Sequence, residues 1–252
     1  MKRPMDIWAG GESLRSRNSL ILIQGITEEE NESDLNALAM AGRHGQFLAD
    51  IPRRRCKTVT VTFAVRELYD LAARARAVDD VNAWARDGWI MISSRPEQRL
   101  WAVCSQRATA GAVRDYTQEM TVAFSAYTRP FWEDVEPTWA LFPAEGNLYV
   151  RGSVESVADI TVTAGEALEG VSINMGGRVI SFPEIEMAAG EKLVIDHDED
   201  GFFRARLEGV TVLSERSASS DDDLYVAPGL VPVTVTAGGA VTCRASCYGR
   251  WA

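Results

Sequence analysis

The second half of the sequence, from about Gly146 to Ala252, has no helical period and instead repeats short apolar runs between tight turns. The runs of strand length are residues 159–163, 168–174, 179–182, 185–187, 193–196, 202–207, 211–213, 224–226, 231–237 and 241–246. Glycine-containing turns separate them, and glycine supplies the positive φ angles that tight hairpins need. These turns are Met175-Gly176-Gly177, Ala189-Gly190, Asp200-Gly201, Pro228-Gly229 and Gly238-Gly239. Short strands at this spacing predict an all-β domain built from two packed sheets.

The first half of the sequence switches between two periods, which predicts strands on both sides of one helix. From Lys57 to Val65 apolar residues alternate with threonines, the pattern of a half-buried strand. From 67 to 87 apolar residues recur every three or four positions, which predicts one amphipathic helix that Gly88 ends. The face expected to be apolar comprises Leu68, Leu71, Ala75, Val78, Val81 and Ala85. We expect this face to cover a sheet, so that Leu71→Ala would be severe, and we expect the opposite face, with Arg74, Arg76 and Asp80, to be exposed.

Strands continue after the helix. Residues 89–93 and 99–106 predict a hairpin that turns around Arg95 and Pro96, and residues 116–127 predict a further strand. Pro130 and Pro137 bracket an aromatic and acidic segment, 131–136, which we interpret as a linker. The predicted fold is therefore mainly β. Residues 1–135 form an α+β domain with one helix on a β-sheet, and residues 136–252 form the all-β sandwich.

Composition argues against several classes of function. The chain of 252 residues has a formal net charge of −10 and a sequence pI of about 4.8, so it would repel nucleic-acid phosphates. The first ten residues lack the apolar segment of a signal peptide, and no run approaches the roughly 20 apolar residues of a membrane span. We expect a protein made in the cytoplasm, with no membrane contact. The four cysteines fit that compartment as free, buried thiols.

The sequence has no motif of familiar catalytic chemistry. It lacks GxSxG, HExxH, GxxxxGK[ST] and a GxGxxG that follows a strand. Its two histidines, His44 and His197, fall in different predicted domains, and His44 lies in a turn-like segment, 42–45. A Ser-His-Asp triad would need one of these histidines beside a serine that no local motif identifies. We therefore predict no catalytic residues, no cofactor and no enzyme activity.

One acidic segment, residues 196–201, matches the DxDxDG opening of a calcium loop. Such loops carry a bidentate glutamate at their twelfth position, where this sequence has Leu207. Strand patterns, not helices, flank the segment. We predict a metal-free hairpin turn in which the side chains of Asp196, Asp198 and Asp200 accept hydrogen bonds from backbone amides.

Two other features of the sequence could carry binding. The polar loop 215–223 contains Asp221-Asp222-Asp223, and we predict a solvated, mobile loop in preference to a metal site. Trp132, Trp139 and Tyr149 could form a platform on which sugars stack, or could pack at the join between the domains. We favour packing at the join.

The order of elements along nearly the whole chain resembles a known family. The segments that carry the resemblance are LILIQGI (20–26), GRHGQFL (42–48), RCKTVTVTF (55–63), NAWA (82–85), LWAV (100–103), MTVAF (120–124), PFW (130–132) and the closing YGRW (248–251). Strand, helix, hairpin and strand ahead of a galectin-like sandwich resemble the distal tail protein of bacteriophages with long, non-contractile tails. The acidic loop 215–223 departs from the family pattern.

This resemblance implies a structural protein of the virion, located at the phage tail tip. In the family, N-terminal domains close a hexameric ring around a channel, and the sandwiches face outward. The implied partners are further copies of the chain, the tail tube protein, and adjoining tail-tip hub or baseplate proteins. DNA would pass through the ring without specific binding, which agrees with the acidic charge. Residues 1–135 are expected to suffice for ring formation.

Two other classes of function stay open from the sequence alone. A carbohydrate- or receptor-binding adhesion module would show a cleft lined by aromatic and amide side chains, whereas a ring protein assembles through its first domain without sugar. A glycan or peptidoglycan hydrolase would need two carboxylates at a defined separation. No pair among the 36 acidic residues is distinguished by its context.

Overall fold

The structure is a computed structural model that describes residues 5–30, 33–34, 37–39, 46–48, 53–54, 56–66, 70–109, 120–198 and 201–252. The chain divides into two compact units, Met1–Trp132 and Glu133–Ala252. Strands dominate both, and the one long helix among the described residues lies in the first unit. The prediction of a mainly β fold is confirmed.

The first unit is an antiparallel sheet with one long helix. Its elements are β1 Ile7–Ala9, β2 Glu12–Ser13, α1 Leu14–Arg17, β3 Ile21–Glu30, β4 Ser33–Asp34, β5 Ala37–Ala39, β6 Gln46–Leu48, β7 Arg53–Arg54, β8 Lys57–Val65, α2 Leu71–Trp84, β9 Gly88–Ile92, β10 Arg95–Gln106 and β11 Met120–Ala126. The strands of the main sheet follow the order β2-β1-β9-β10-β11-β8-β3. The predicted strand at 57–65 is confirmed, and so is the pairing of β9 and β10 as a hairpin. The turn lies at Ser93 and Ser94, however, so the prediction that it lies at Arg95 and Pro96 is wrong: both residues belong to β10.

The helix α2 is shorter than predicted, and its buried face begins later. Asp70 caps its N-terminus by accepting hydrogen bonds from the amides of Ala72 and Ala73 at 2.9 and 3.0 Å. The buried residues are Ala77, Val78, Val81 and Trp84. Leu71 is 52% exposed and Ala75 is exposed, so the prediction that both cover the sheet is wrong. Both belong to the first half of the helix, whereas its buried residues lie from Ala77 onward; Leu68 lies outside the described residues.

The end of α2 also differs from the prediction. The cap residue Ala85 donates its amide to the carbonyl oxygen of Val81 at 2.8 Å, so the helix stops before Gly88. Gly88 does have a positive φ of 133°, but it is the first residue of β9. The positive φ of Gly88, which glycine tolerates best, therefore belongs to the start of a strand and not to the end of a helix.

The segment 131–136 is not a linker. It contains strand β12, Trp132–Asp134, whose three residues are all buried. Within the first unit, the indole Nε1 of Trp132 donates to Oε2 of Glu28 at 2.9 Å. Within the second unit, Glu133 accepts a hydrogen bond from Nε of Arg250 at 3.1 Å. Aromatic and acidic residues suggest a solvated segment by composition, but here they are satisfied by buried partners.

The second unit is a sandwich of two antiparallel sheets. Its elements after β12 are β13 Thr138–Phe142, β14 Glu145–Val150, β15 Ser156–Ala164, β16 Leu168–Met175, β17 Arg178–Met187, β18 Lys192–His197, β19 Phe203–Leu207, β20 Val210–Thr211, the 3₁₀ helix η1 Leu213–Glu215, β21 Tyr225–Val226, β22 Gly229–Ala237, β23 Val241–Cys247 and β24 Arg250–Trp251. A seven-stranded sheet has the order β13-β23-β15-β18-β19-β20 with β21 beside β15, and a four-stranded sheet has the order β14-β22-β16-β17. One core cluster of alternating side chains fills the space between them. The sequence pattern missed β13, β14 and β24, and it divided β17 into two strands.

The predicted glycine turns of the sandwich have two different causes. Gly176, Gly190, Gly201 and Gly229 have positive φ angles, as predicted. Gly238 and Gly239 do not, so that prediction is wrong for this pair. A Cβ atom on Gly238 would lie 3.0 Å from the carbonyl oxygen of Glu169, so this glycine is required by a close backbone approach.

The cysteines are free, as expected. Cys243 and Cys247 lie in the sandwich core, where burial raises their pKa values to about 11 and about 12. Both therefore stay protonated and unreactive at neutral pH. Cys56 and Cys104 are only half-buried.

Candidate functional site

The most distinctive polar site in the described residues is a histidine held between two carboxylates. His197 ends strand β18, Asp159 lies on β15, and Asp223 precedes β21. Nδ1 of His197 lies 2.9 Å from Oδ1 of Asp159, and Nε2 lies 2.7 Å from Oδ1 of Asp223. The side chain of His197 is 8% exposed and that of Asp223 is 11% exposed. We call these three residues the histidine cluster.

The electrostatics of the cluster favour the charged imidazolium. Burial by itself lowers the pKa of His197, but the hydrogen bonds and negative charges of Asp159 and Asp223 outweigh burial and raise the pKa to about 9. His197 is therefore protonated at neutral pH, and each ring nitrogen donates to a carboxylate. With both nitrogens engaged, the ring has no free nitrogen with which to take a proton from a substrate. The geometry fits a structural role, in which the charged ring of His197 holds Asp159 and Asp223 together.

Sequence reasoning did not find this cluster. Asp159 and Asp223 are 38 and 26 residues from His197, and no local motif joins them. The sequence interpretation placed Asp223 in a solvated, mobile loop, but Asp223 is buried, so that prediction is wrong for this residue. The loop 215–223 is also bonded to β17 through Ser217, Ser220 and Asp221. His44 lies outside the described residues.

The acidic segment 196–201 begins within β18, which includes Asp196 and His197, and continues toward β19. Asp196 forms ion pairs with Arg204, at 3.0 Å, and with Arg206. Oδ1 of Asp198 accepts the amide of Phe202 at 2.8 Å, as predicted for a side chain that caps a turn. Asp200 lies outside the described residues. Within the described part of the chain, no group of three acidic, histidine or cysteine side chains is placed to hold a metal ion.

The three aromatic residues Trp132, Trp139 and Tyr149 do not share one surface. Trp132 is fully buried, while Trp139 and Tyr149 are 62% and 60% exposed. Trp139 lies on β13 of the seven-stranded sheet, beneath the guanidinium of Arg244 at 5.4 Å, and Tyr149 lies on β14 of the four-stranded sheet. Because Trp132 is buried, the three residues do not form one exposed platform for sugars, and their packing at the domain join stays a prediction.

No helix in the described residues is long and apolar enough to cross a membrane. No protein-family model matches the sequence, and a comparison with curated proteins found no match.

Comparison with solved structures shows that the chain has the fold of a bacteriophage distal tail protein. One similar structure is that of the Dit protein (gp 19.1) of phage SPP1, described as a paradigm of the hub adsorption apparatus in phages that infect Gram-positive bacteria. The TM-score is 0.72 at 13% sequence identity, and the match covers 97% of this chain and 98% of the SPP1 protein. The predicted resemblance to the distal tail family is confirmed at the level of the fold.

Two structures of the phage p2 baseplate in its activated conformation are also similar. The structure with Sr matches at a TM-score of 0.44 and 7% identity, over 96% of this chain and 97% of that chain. The structure with Ca matches at 0.46 and 8% identity, over 97% and 98%.

Proposed function

We propose that this chain is a structural subunit of a phage tail hub and has no enzymatic role. In this proposal it forms a hexameric ring at the distal end of the virion tail and connects the tail tube to the tip or baseplate. A fold shared with SPP1 Dit over nearly the full length of both chains supports the proposal. Its partners would be further copies of the chain, the tube protein and adjoining hub or baseplate proteins. Residues 1–135 would form the ring, and residues 136–252 the outer sandwich.

The observation that supports assembly through the first unit is the edge of its main sheet. β3 is 10 residues long and is the last strand of the sheet. Among the residues that the structure describes, β3 pairs with β8 and with no strand on its other side. A long open edge invites another strand to pair with it. A ring of head-to-tail contacts would cover this edge in every copy.

The charge of the chain supports a role as a channel wall. A net charge of −10 at neutral pH disfavours contacts with DNA phosphates, so DNA could pass without being retained.

Light scattering of the purified full-length chain tests the proposal. We expect a particle of about six times the 27.7 kDa chain mass. Leu22 of β3 is 40% exposed, and Leu22→Glu should reduce the particle toward the monomer mass because it places a charge in the covered edge. Leu230→Glu is the matched control, since Leu230 is 69% exposed on β22 of the sandwich and should be neutral. A wild-type chain that remained monomeric at high concentration would contradict the proposal.

A further inference from the structure

One edge of the sandwich is covered by a segment that is not a strand. Residues 213–223, which we call the strap, run along β17, the last strand of the four-stranded sheet. The strap begins in η1 and ends at Asp223 of the histidine cluster. It contains the acidic and serine-rich loop that composition alone would place in solvent.

The strap satisfies the outward backbone groups of β17 at two alternate residues. The amide of Ser217 donates to the carbonyl oxygen of Ser181 at 2.8 Å, and the amide of Asp221 donates to that of Val179, also at 2.8 Å. In return, the amide of Ser181 donates to Oγ of Ser220 at 3.0 Å, and the amide of Val179 donates to Oδ2 of Asp221 at 2.7 Å.

These four hydrogen bonds occupy the groups of β17 that an antiparallel partner strand would occupy. The strap supplies two of the partners from its backbone and two from its side chains. Alternate residues of a strand direct their N–H and C=O groups to the same side, and a partner strand would bond to both groups of each. Here two side-chain oxygens replace the two carbonyl oxygens that such a partner would supply. The next alternate residue of β17 is Pro183, which has no amide proton to donate. From Val179 to Pro183, the outer edge of β17 therefore has no N–H group left with which another strand could pair.

Both ends of the strap are fastened to the seven-stranded sheet. Before the strap, buried Val212 donates its amide to the carbonyl oxygen of Ala205 on β19 at 3.0 Å. Within it, the guanidinium of Arg216 lies 5.4 Å from the ring centroid of Phe203 on β19. At its far end, Asp223 accepts a hydrogen bond from His197.

The groups around His197 come from three directions. Asp159 faces it from β15 and Asp223 from the strap, while the ring of Phe203 on β19 meets it edge-on at 6.1 Å. Arg204, also on β19, donates to the carbonyl oxygen of His197 at 3.1 Å. One histidine thus joins the strap to three strands of the other sheet.

We propose that the strap guards the edge of β17 against pairing with β17 of a second copy, and that the histidine cluster holds the strap closed. An exposed antiparallel edge can pair with the same edge of an identical chain about a two-fold axis, and no other partner is needed. The strap prevents this by occupying the backbone groups of Val179 and Ser181. The inference concerns the sandwich alone and does not depend on the proposed ring.

The test removes the two side-chain acceptors in the full-length chain. Ser220→Ala with Asp221→Ala should leave the amides of Val179 and Ser181 without partners, and their hydrogen exchange should accelerate by about tenfold or more. Light scattering should then show particles that associate further as the concentration rises. The matched control is Ser219→Ala with Asp222→Ala, which removes the same residue types from exposed positions of the strap and should change neither measurement.

A third variant locates the contact. Adding Ser181→Lys to the unguarded chain places like charges opposite one another across a β17 pair and should abolish the new association. If association persisted, the contact would lie elsewhere and the proposal would be wrong. If exchange at Val179 and Ser181 accelerated but no association appeared at any concentration, the strap would not be a guard.

His197→Gln tests the fastening independently if the double variant fails to fold. Glutamine keeps a polar side chain but removes the positive charge between the two carboxylates. We expect faster exchange at Val179 and Ser181 and weak association in this variant. Unchanged exchange at both amides would show that the histidine cluster does not hold the strap.

Discussion

The two units treat the edges of their sheets in opposite ways. In the first unit, β3 ends the main sheet as an open strand of 10 residues, with no second partner among the described residues. In the second unit, β17 is equally long, but the strap and a proline cover its edge from Val179 to Pro183. Both edges belong to antiparallel sheets and would aggregate for the same physical reason if left open.

The difference bears on which surface would contact another copy in the proposed ring. An open edge is tolerable when a neighbouring subunit covers it, and a covered edge belongs on a surface that must stay apart from its copies. At another edge of the sandwich the two sheets are joined by the chain itself. The consecutive strands β13 and β14 lie side by side there, one in each sheet. The comparison supports the proposal that the first unit associates with further copies and that the sandwich stays apart from them.

The largest expected effect tests the first unit. Trp84 is 1% exposed, meets Phe124 edge-on at a centroid distance of 5.8 Å, and donates its Nε1 hydrogen to the carbonyl oxygen of Glu12 at 2.8 Å. Trp84→Ala should cost about 3–5 kcal/mol of unfolding free energy and abolish assembly. Calorimetry and light scattering measure the two effects.

Phe182→Ala is the counterpart in the second unit, since Phe182 is fully buried on β17. It should cost about 3–5 kcal/mol as well, but it should leave the assembled particle intact. If Phe182→Ala dissolved the particle and Trp84→Ala did not, association would belong to the sandwich.

An intermediate effect is expected from the charge of His197. Because its folded pKa of about 9 is raised above the ordinary value of 6.5, its contribution to stability is fully present below about pH 6.5 and is lost as pH rises toward 9. His197→Gln should therefore melt at a lower temperature than the wild type at pH 6. The two melting temperatures should converge near pH 10. A difference in melting temperature that stayed constant from pH 6 to pH 10 would exclude the imidazolium as its source.

The smallest effect is expected at Leu71. Because this residue is 52% exposed in the first turn of α2, Leu71→Ala should change the free energy of unfolding by less than about 0.5 kcal/mol. Val81, which is fully buried on the same helix, is the comparison residue. Val81→Ala should cost about 2 kcal/mol through lost burial and the cavity left behind. Denaturant unfolding of both variants would show whether the second half of the helix alone carries the packing.

The periodicity of the sequence predicted most of the elements but not how much of each element is buried. The alternation in β8 and the helical period of α2 were correctly interpreted, because local spacing decides which side chains share a face. The same spacing placed Leu71 on the buried face, and only the position of the neighbouring core shows that this turn is exposed. Likewise the sequence around Trp132 indicated a linker. Only the structure shows that Trp132 is hydrogen-bonded to Glu28, which is far away in sequence.

The sequence by itself determined the class of fold, the acidic charge and the turn at Asp198, since each depends on residue type and on neighbours along the chain. The tertiary structure alone decided the histidine cluster and the covered edge of β17. Asp159, His197 and Asp223 have no shared motif, and an aspartate in a serine-rich loop has the composition of solvent-exposed chain whether or not a strand lies beside it. Folding brings these groups within hydrogen-bond distance, and the two carboxylates then keep His197 positively charged between them.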